Sequence, residues 1–144
     1  MKNKIIIGIS LGVLALVMLS LLINNKISSD KERSIRLTEF EKFEELINNE
    51  EVFLINAHAP YIGEIEGTDL IAEKWENMAF YRDRLPKDKN QKIAIYCRSG
   101  HMSAIAAKQL QDMGYSDIYD LEGGMNAWQE NGGRINSDKM KGGN

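Results

Sequence analysis

The chain has 144 residues, 43% of them hydrophobic and 27% charged, which is room for one modest domain. With 21 acidic against 18 basic side chains the net charge is −3, leaving no basic face for nucleic acid. A single cysteine excludes an internal disulfide, so stability has to come from core packing.

From Ile5 to Ile23 the sequence is almost wholly apolar, interrupted by Gly8, Ser10, Gly12 and Ser20, with Lys2 and Lys4 ahead of it. A run of this length approaches the roughly 20 residues that a helix needs to span a bilayer. It is longer than the apolar region of a cleaved signal, and Asn24, Asn25 and Lys26 follow it in place of a small-residue cleavage site. We therefore expect a single-pass membrane anchor over 5–23 after a short basic start at 1–4, with secretion after cleavage as the alternative. The basic start resembles an export signal and favours an extracytoplasmic domain, although Lys26, Lys31 and Arg33 bring the positive-inside balance near a tie.

Residues 24–34 are polar and charged and read as a linker; the folded domain is expected over 35–135. "LTEFEKFEELINN" places Phe40, Phe43, Leu46 and Ile47 at helical spacing, with Thr38 and Glu41 spaced as a capping box. "VFLIN" (52–56) is a buried strand, and a loop with Pro60, Gly63 and Gly67 follows. "WENMAFYRDRL" reads as a helix ending at Pro86. Ile93–Tyr96 is a second strand, Ala104–Met113 an amphipathic helix closed by Gly114, and "DIYDL" a third strand. A turn at "EGG", a short helix at "MNAWQEN" and a loose polar tail over 136–144 complete the chain. Strands alternating with helices predict an α/β fold, a mostly parallel sheet covered on both faces. Ligands bind such sheets beyond the carboxyl ends of the strands, where Cys97 follows Tyr96.

Cysteine is ordinarily a small buried hydrophobe. Here it opens the segment Cys97–Met102, whose Ser99 and Gly100 permit a tight curl before a helix beginning near Ser103. The unpaired N–H groups of that helix start favour a thiolate and an anionic substrate, with Arg98 and His101 adding positive charge at the rim. Met102 is expected to pack under the loop, and Ser103 to cap the helix and, secondly, to bond the sulfur. A cysteine phosphatase needs C-x5-R, but the sixth residue after Cys97 is Ser103, which disfavours that chemistry. Two separated histidines, His58 and His101, and one cysteine form no metal-ligand set, and no cofactor is expected.

With those residues on the page, "YCRSGHMSAIAAKQLQDMGYSDIYDLEGGMNAW" resembles the active-site half of a rhodanese-like domain, and the resemblance extends over about residues 35–133. It rests on C-R-S-G at Cys97–Gly100 and on G-G-x-x-x-W at Gly123, Gly124 and Trp128. The resemblance implies a three-layer fold and sulfur transfer. The Cys97 thiolate would take a sulfane sulfur from a small anionic donor such as thiosulfate, hold it as a persulfide among the loop residues Arg98–Ser103, and yield it to a thiol or cyanide. The family's D-V-R, which braces the active loop, reads Asn56-Ala57-His58 here, and its G-H-I-P-G-A reads Gly63 to Thr68 with Glu64 at the histidine position. Asn56, His58, Glu64 and Trp128 are thus the expected supporting residues, around a pocket less cationic than usual. The alternative is a rhodanese-fold module without catalysis, acting in binding, regulation or redox sensing.

Overall fold

A computed structural model describes residues 13–21, 34–48 and 51–137. The chain divides into two compact units, Met1–Arg33 and Ser34–Asn144. In the first, residues 13–21 form a helix, α1, whose apolar side chains Val13, Leu14, Leu16, Val17, Met18, Leu19 and Leu21 are all exposed. Among the described residues no helix is long and apolar enough to cross a membrane. The rest of the expected span, residues 5–12, 22 and 23, lies outside them.

The second unit is a five-stranded parallel sheet of order β1-β5-β4-β2-β3: Ser34–Thr38, Asp117–Leu121, Ile93–Tyr96, Phe53–Asn56 and Leu70–Ile71. The helices α2 (Phe40–Ile47), α3 (His101–Asp112) and α4 (Gly124–Glu130) and a single 3-10 turn at Met78–Tyr81 cover its two faces. All four residues of β4 are buried, as expected of a central parallel strand. On one face Ala106, Ala107 and Leu110 of α3 pack with Met78 and Tyr81 against Ile55, Ile93, Ile95 and Ile118. On the other, Phe43 of α2 and Met125 and Trp128 of α4 pack against Leu54, Ala94, Tyr96 and Leu121.

Several expectations need correction. Thr38 is the last residue of β1, and its hydroxyl donates to the Arg36 carbonyl, so no capping box forms; α2 starts from Glu39 without a side-chain cap. Pairing of five successive β1 residues with β5 outweighs the local capping signal. The eleven-residue helix before Pro86 is only the four-residue 3-10 turn at Met78–Tyr81. There the Gln109 side chain on α3 accepts from the Met78 amide and donates to the Trp75 carbonyl, both at 2.9 Å, fixing an irregular path. Two strands, β1 and β3, were not foreseen. Asn136, placed in the polar tail, pairs with Glu64 in an antiparallel bridge; residues 138–144 lie outside the described residues.

Candidate active site

Register sets the site. β2 and β4 run parallel with Asn56 beside Tyr96, so His58 and Arg98 emerge from neighbouring strand ends next to Cys97. From Gly100, in a left-handed conformation at φ +98°, α3 departs immediately. The curl returns the Gly100 N–H to the Cys97 sulfur at 3.1 Å. The Ser103 hydroxyl lies 3.5 Å from the same sulfur and 3.2 Å from the Gly100 carbonyl. Ser103 is fully buried in the first turn of α3 and Gly100 is the N-cap, so the expectation that Ser103 caps the helix is corrected. Cys97 itself is a free thiol, 1% exposed.

The paired glycines have a steric reason. A Cβ on Gly124 (φ +59°) would sit 2.4 Å from the Cys97 carbonyl oxygen and 2.8 Å from the Arg98 carbonyl. That close approach lets the Met125 and Asn126 amides donate to the Cys97 and Arg98 carbonyls at 2.9 and 3.1 Å. The start of α4 thereby clamps the loop from below. Trp128, four residues on, packs edge-on against Phe43 and tilted against Phe40, and its indole N–H donates to the Arg134 carbonyl at 3.1 Å. It is a packing residue on the face opposite α3.

Asn56 is fully buried, and its side-chain amide is used at both ends. Its Nδ2 donates to the Gly63 carbonyl and its Oδ1 accepts from the His58 amide, each at 2.9 Å. An uncharged side chain thus ties down the 57–63 loop beside the cysteine. His58 is buried with Nδ1 lacking a partner; burial first, then the Arg98 charge, lowers its pKa below the ordinary imidazole value. Glu64 bridges to Asn136 through its main chain and acts on Tyr96, whose hydroxyl accepts from the Ile65 amide at 2.8 Å. At the rim Arg98, Ser99 and His101 are exposed, with the His101 ring 6.3 Å from Trp75, and Met102 packs against the α3-side core.

Two contributors were missed by sequence reasoning. Gln109 holds the Trp75–Met78 segment on α3. Asp120, 2% exposed, is buried on the α3 side with one carboxyl oxygen, Oδ1, unpartnered. Burial pushes its carboxyl up to about 7, opposed by the Ser103 hydroxyl within its reach. A signal existed: in "DIYDL" Asp120 has the same parity as Ile118, the inward position.

The arrangement presents one sulfur at the carboxyl end of the sheet, contacted by a main-chain amide and a hydroxyl, with one exposed arginine beside it. It is suited to a nucleophilic sulfur taking an anionic partner. A sequence model of the family described as "Rhodanese-like domain" matches residues 40–131. Over 88 residues the chain is 31% identical to the thiosulfate sulfurtransferase GlpE of Pseudoalteromonas translucida, covering 59% of this chain and 80% of that protein. It is 31% identical over 88 residues to a sulfurtransferase of Allochromatium vinosum, covering 60% of this chain and 80% of that one. The solved structure of a rhodanese-related protein from Thermoplasma volcanium is similar with TM-score 0.58 at 25% identity, covering 69% of this chain and 96% of that chain.

Proposed function

Because the chain belongs to the rhodanese-like domain family, we propose that it is a sulfurtransferase carrying a sulfane sulfur on Cys97. The observation that carries this reading is the Gly100 amide 3.1 Å from the Cys97 sulfur, in a loop clamped by α4. In the first step the thiolate attacks the outer sulfur of thiosulfate or a related donor. A new S–S bond forms to Cys97, the donor's S–S bond breaks, and sulfite leaves with the electron pair. In the second step cyanide or a thiolate attacks the outer persulfide sulfur, and Cys97 departs as thiolate, ready for another round.

The Gly100 amide and the Ser103 hydroxyl supply hydrogen bonds to the sulfur at both stages, and Arg98 offers an anion its nearest exposed positive charge. With an uncharged Asn56 and a His58 whose pKa is lowered, the strand ends add no second fixed cation. That favours donors of low charge over a dianion such as thiosulfate.

For residues 5–23 we propose a membrane anchor that holds the domain on the extracytoplasmic side. Its support is the length of the apolar run, the exposed apolar surface of α1 and the leading Lys2 and Lys4. Protease accessibility in intact cells tests the orientation.

The enzymatic reading is tested by incubating the full chain with thiosulfate, or with a small-molecule persulfide, and weighing it. A gain of one sulfur atom in the wild type, absent in Cys97→Ser, and thiocyanate formation from cyanide are expected. No gain from any of these donors overturns the enzyme and leaves a binding or oxidant-sensing module.

A further inference from the structure

Trp75 is a large side chain beside the sulfur loop that the sulfur-transfer steps leave unused. It follows β3, the edge strand next to β2, and β2 in turn pairs with β4. All three run parallel, so their carboxyl ends deliver the Trp75 segment, His58 and Cys97 to one end of the sheet. The Ala72 amide donates to the Asn56 carbonyl at 2.7 Å, which carries the pairing one residue past β3. From there the chain crosses to α3, and the Trp75 ring meets the His101 ring edge-on, with centroids 6.3 Å apart. His101 opens α3 directly after Gly100, whose amide contacts the Cys97 sulfur.

This placement is braced from two sides. On the α3 side, Gln109 Nε2 donates to the Trp75 carbonyl at 2.9 Å and lies 3.5 Å from the carbonyl of Ile105, one turn beyond His101. On the β2 side, the Tyr61 amide donates to the Glu73 carboxylate at 2.9 Å, tying the loop after β2 to the segment that leads into Trp75. The bracing holds main chain and leaves the ring half-buried, with Ile105 of α3 and Ile62 of the loop each 38% exposed. An aromatic surface with a few polar groups beside it is the usual lining of a small-molecule site.

Charge selects the other end of the ligand. Arg98 is exposed next to Cys97, while Lys74 is engaged with the Phe80 ring at 3.6 Å and Asn56 is uncharged. We propose that Trp75 is a specificity-determining residue and that the donor is an organic thiosulfonate, its singly charged sulfane head at Cys97 and Arg98 and its apolar body against Trp75 and His101. The inference rests on the reading of Cys97 as sulfur carrier and names the substrate class. The Cys97 thiolate attacks the outer sulfur of the donor and a new S–S bond forms to Cys97. The donor's S–S bond breaks, and an organic sulfinate leaves with the electron pair.

Binding and turnover are measured separately on the full chain. In Cys97→Ser, which cannot take the sulfur, calorimetry is expected to show benzenethiosulfonate binding about tenfold more tightly than methanethiosulfonate, the scale of one aromatic contact and the area it covers. Trp75→Ala in that background is expected to bring the two affinities within about twofold of each other, through loss of benzenethiosulfonate binding. Trp75→Phe keeps an aromatic face and is expected to keep most of the preference. Ile105→Ser, at an exposed position, is expected to reduce the preference about threefold, which keeps the test available if Trp75→Ala does not fold. Equal affinities for the two ligands in Cys97→Ser, or a preference that survives both Trp75→Ala and Ile105→Ser, overturn the inference. Failure of wild type to take up sulfur from any donor, by contrast, sinks the sulfurtransferase reading and leaves the binding preference standing.

Discussion

The two faces of the sheet are built differently. Beneath α2 and α4 the core is aromatic and large: Phe43, Tyr96 and Trp128 interlock, and the Tyr96 hydroxyl is satisfied by the Ile65 amide and Thr68. Beneath α3 the core is mostly aliphatic, with Ile55, Ile93, Ile95, Leu110 and Ile118 beside Tyr81 and Tyr115, and the same face encloses Ser103, Cys97 and Asp120. Burying a serine hydroxyl and a carboxyl forgoes packing that apolar side chains would supply. Both faces supply packing, and the α3 face gives up some of it to hold a sulfur and its hydrogen-bonding partners.

The sharpest way to separate the two roles is Cys97→Ser. It should reduce sulfur transfer to background while leaving thermal unfolding nearly unchanged, because the substitution is close in size and the Gly100 amide can donate to the hydroxyl as it does to the sulfur. A large loss of stability would break the division.

The converse is Trp128→Ala on the other face. Removing a 6% exposed indole that contacts both Phe40 and Phe43 should destabilise by about 3–5 kcal/mol. Chemical denaturation checks this, and the fraction that remains folded should keep the wild-type rate of sulfur uptake per molecule.

Asp120→Asn should show what the α3 face concedes. The carboxyl ionises at about 7 in the fold against an ordinary value of 3.8, so the folded state binds its proton more tightly than the unfolded chain does. Stability from this group is complete below the unfolded value and is lost as pH rises through the folded one. Asn carries no such loss. The variant should match wild type in acid and exceed it by up to about 4 kcal/mol at and above neutral pH, on the scale set by linkage. Parallel stability curves for the two proteins would show that the carboxyl is not held neutral.

What the sequence discloses follows the same division. The run from β4 through α4 is legible because its signals are local: short apolar runs at the strands, Gly114 turning to φ +97° after α3, and the glycine pair before Trp128. β1 is not legible, since it is an edge strand with Leu37 exposed, and "LTEF" satisfies a helix-start pattern that only pairing with β5 overrules. The 3-10 turn at Met78–Tyr81 is set by the distant Gln109, which no window around residue 78 contains. In the candidate site, the sulfur and its loop could be read from spacing. The buried carboxyl was visible only as a charged residue at an inward position of a strand, easily passed over as a solvated one.

Gly124→Ala tests the junction between the faces. The added methyl cannot avoid the Cys97 and Arg98 carbonyls, and φ +59° strains any side chain there. A loss of about 1–3 kcal/mol is expected, the range for overpacking a filled site. Sulfur uptake should fall more than in Trp128→Ala at equal stability, because the clamp on the loop is displaced. Equal activity losses at matched stability would mean that α4 serves the site only through general packing.

The smallest effect belongs to the outer surface of α3. Lys108 and Asp112 pair one turn apart with both side chains well over half exposed, so water and salt screen most of their attraction. Lys108→Ala removes that pair while placing a better helix former at the position, two contributions of a few tenths of a kcal/mol with opposite signs. Unfolding within about 0.5 kcal/mol of wild type is expected, with unchanged sulfur uptake. The helix matters to the chemistry through its first turn and its buried stripe. A sizeable effect from Lys108 would show that the solvent side of α3 also shapes the loop, and the contrast between the two sheet faces would no longer account for where activity is controlled.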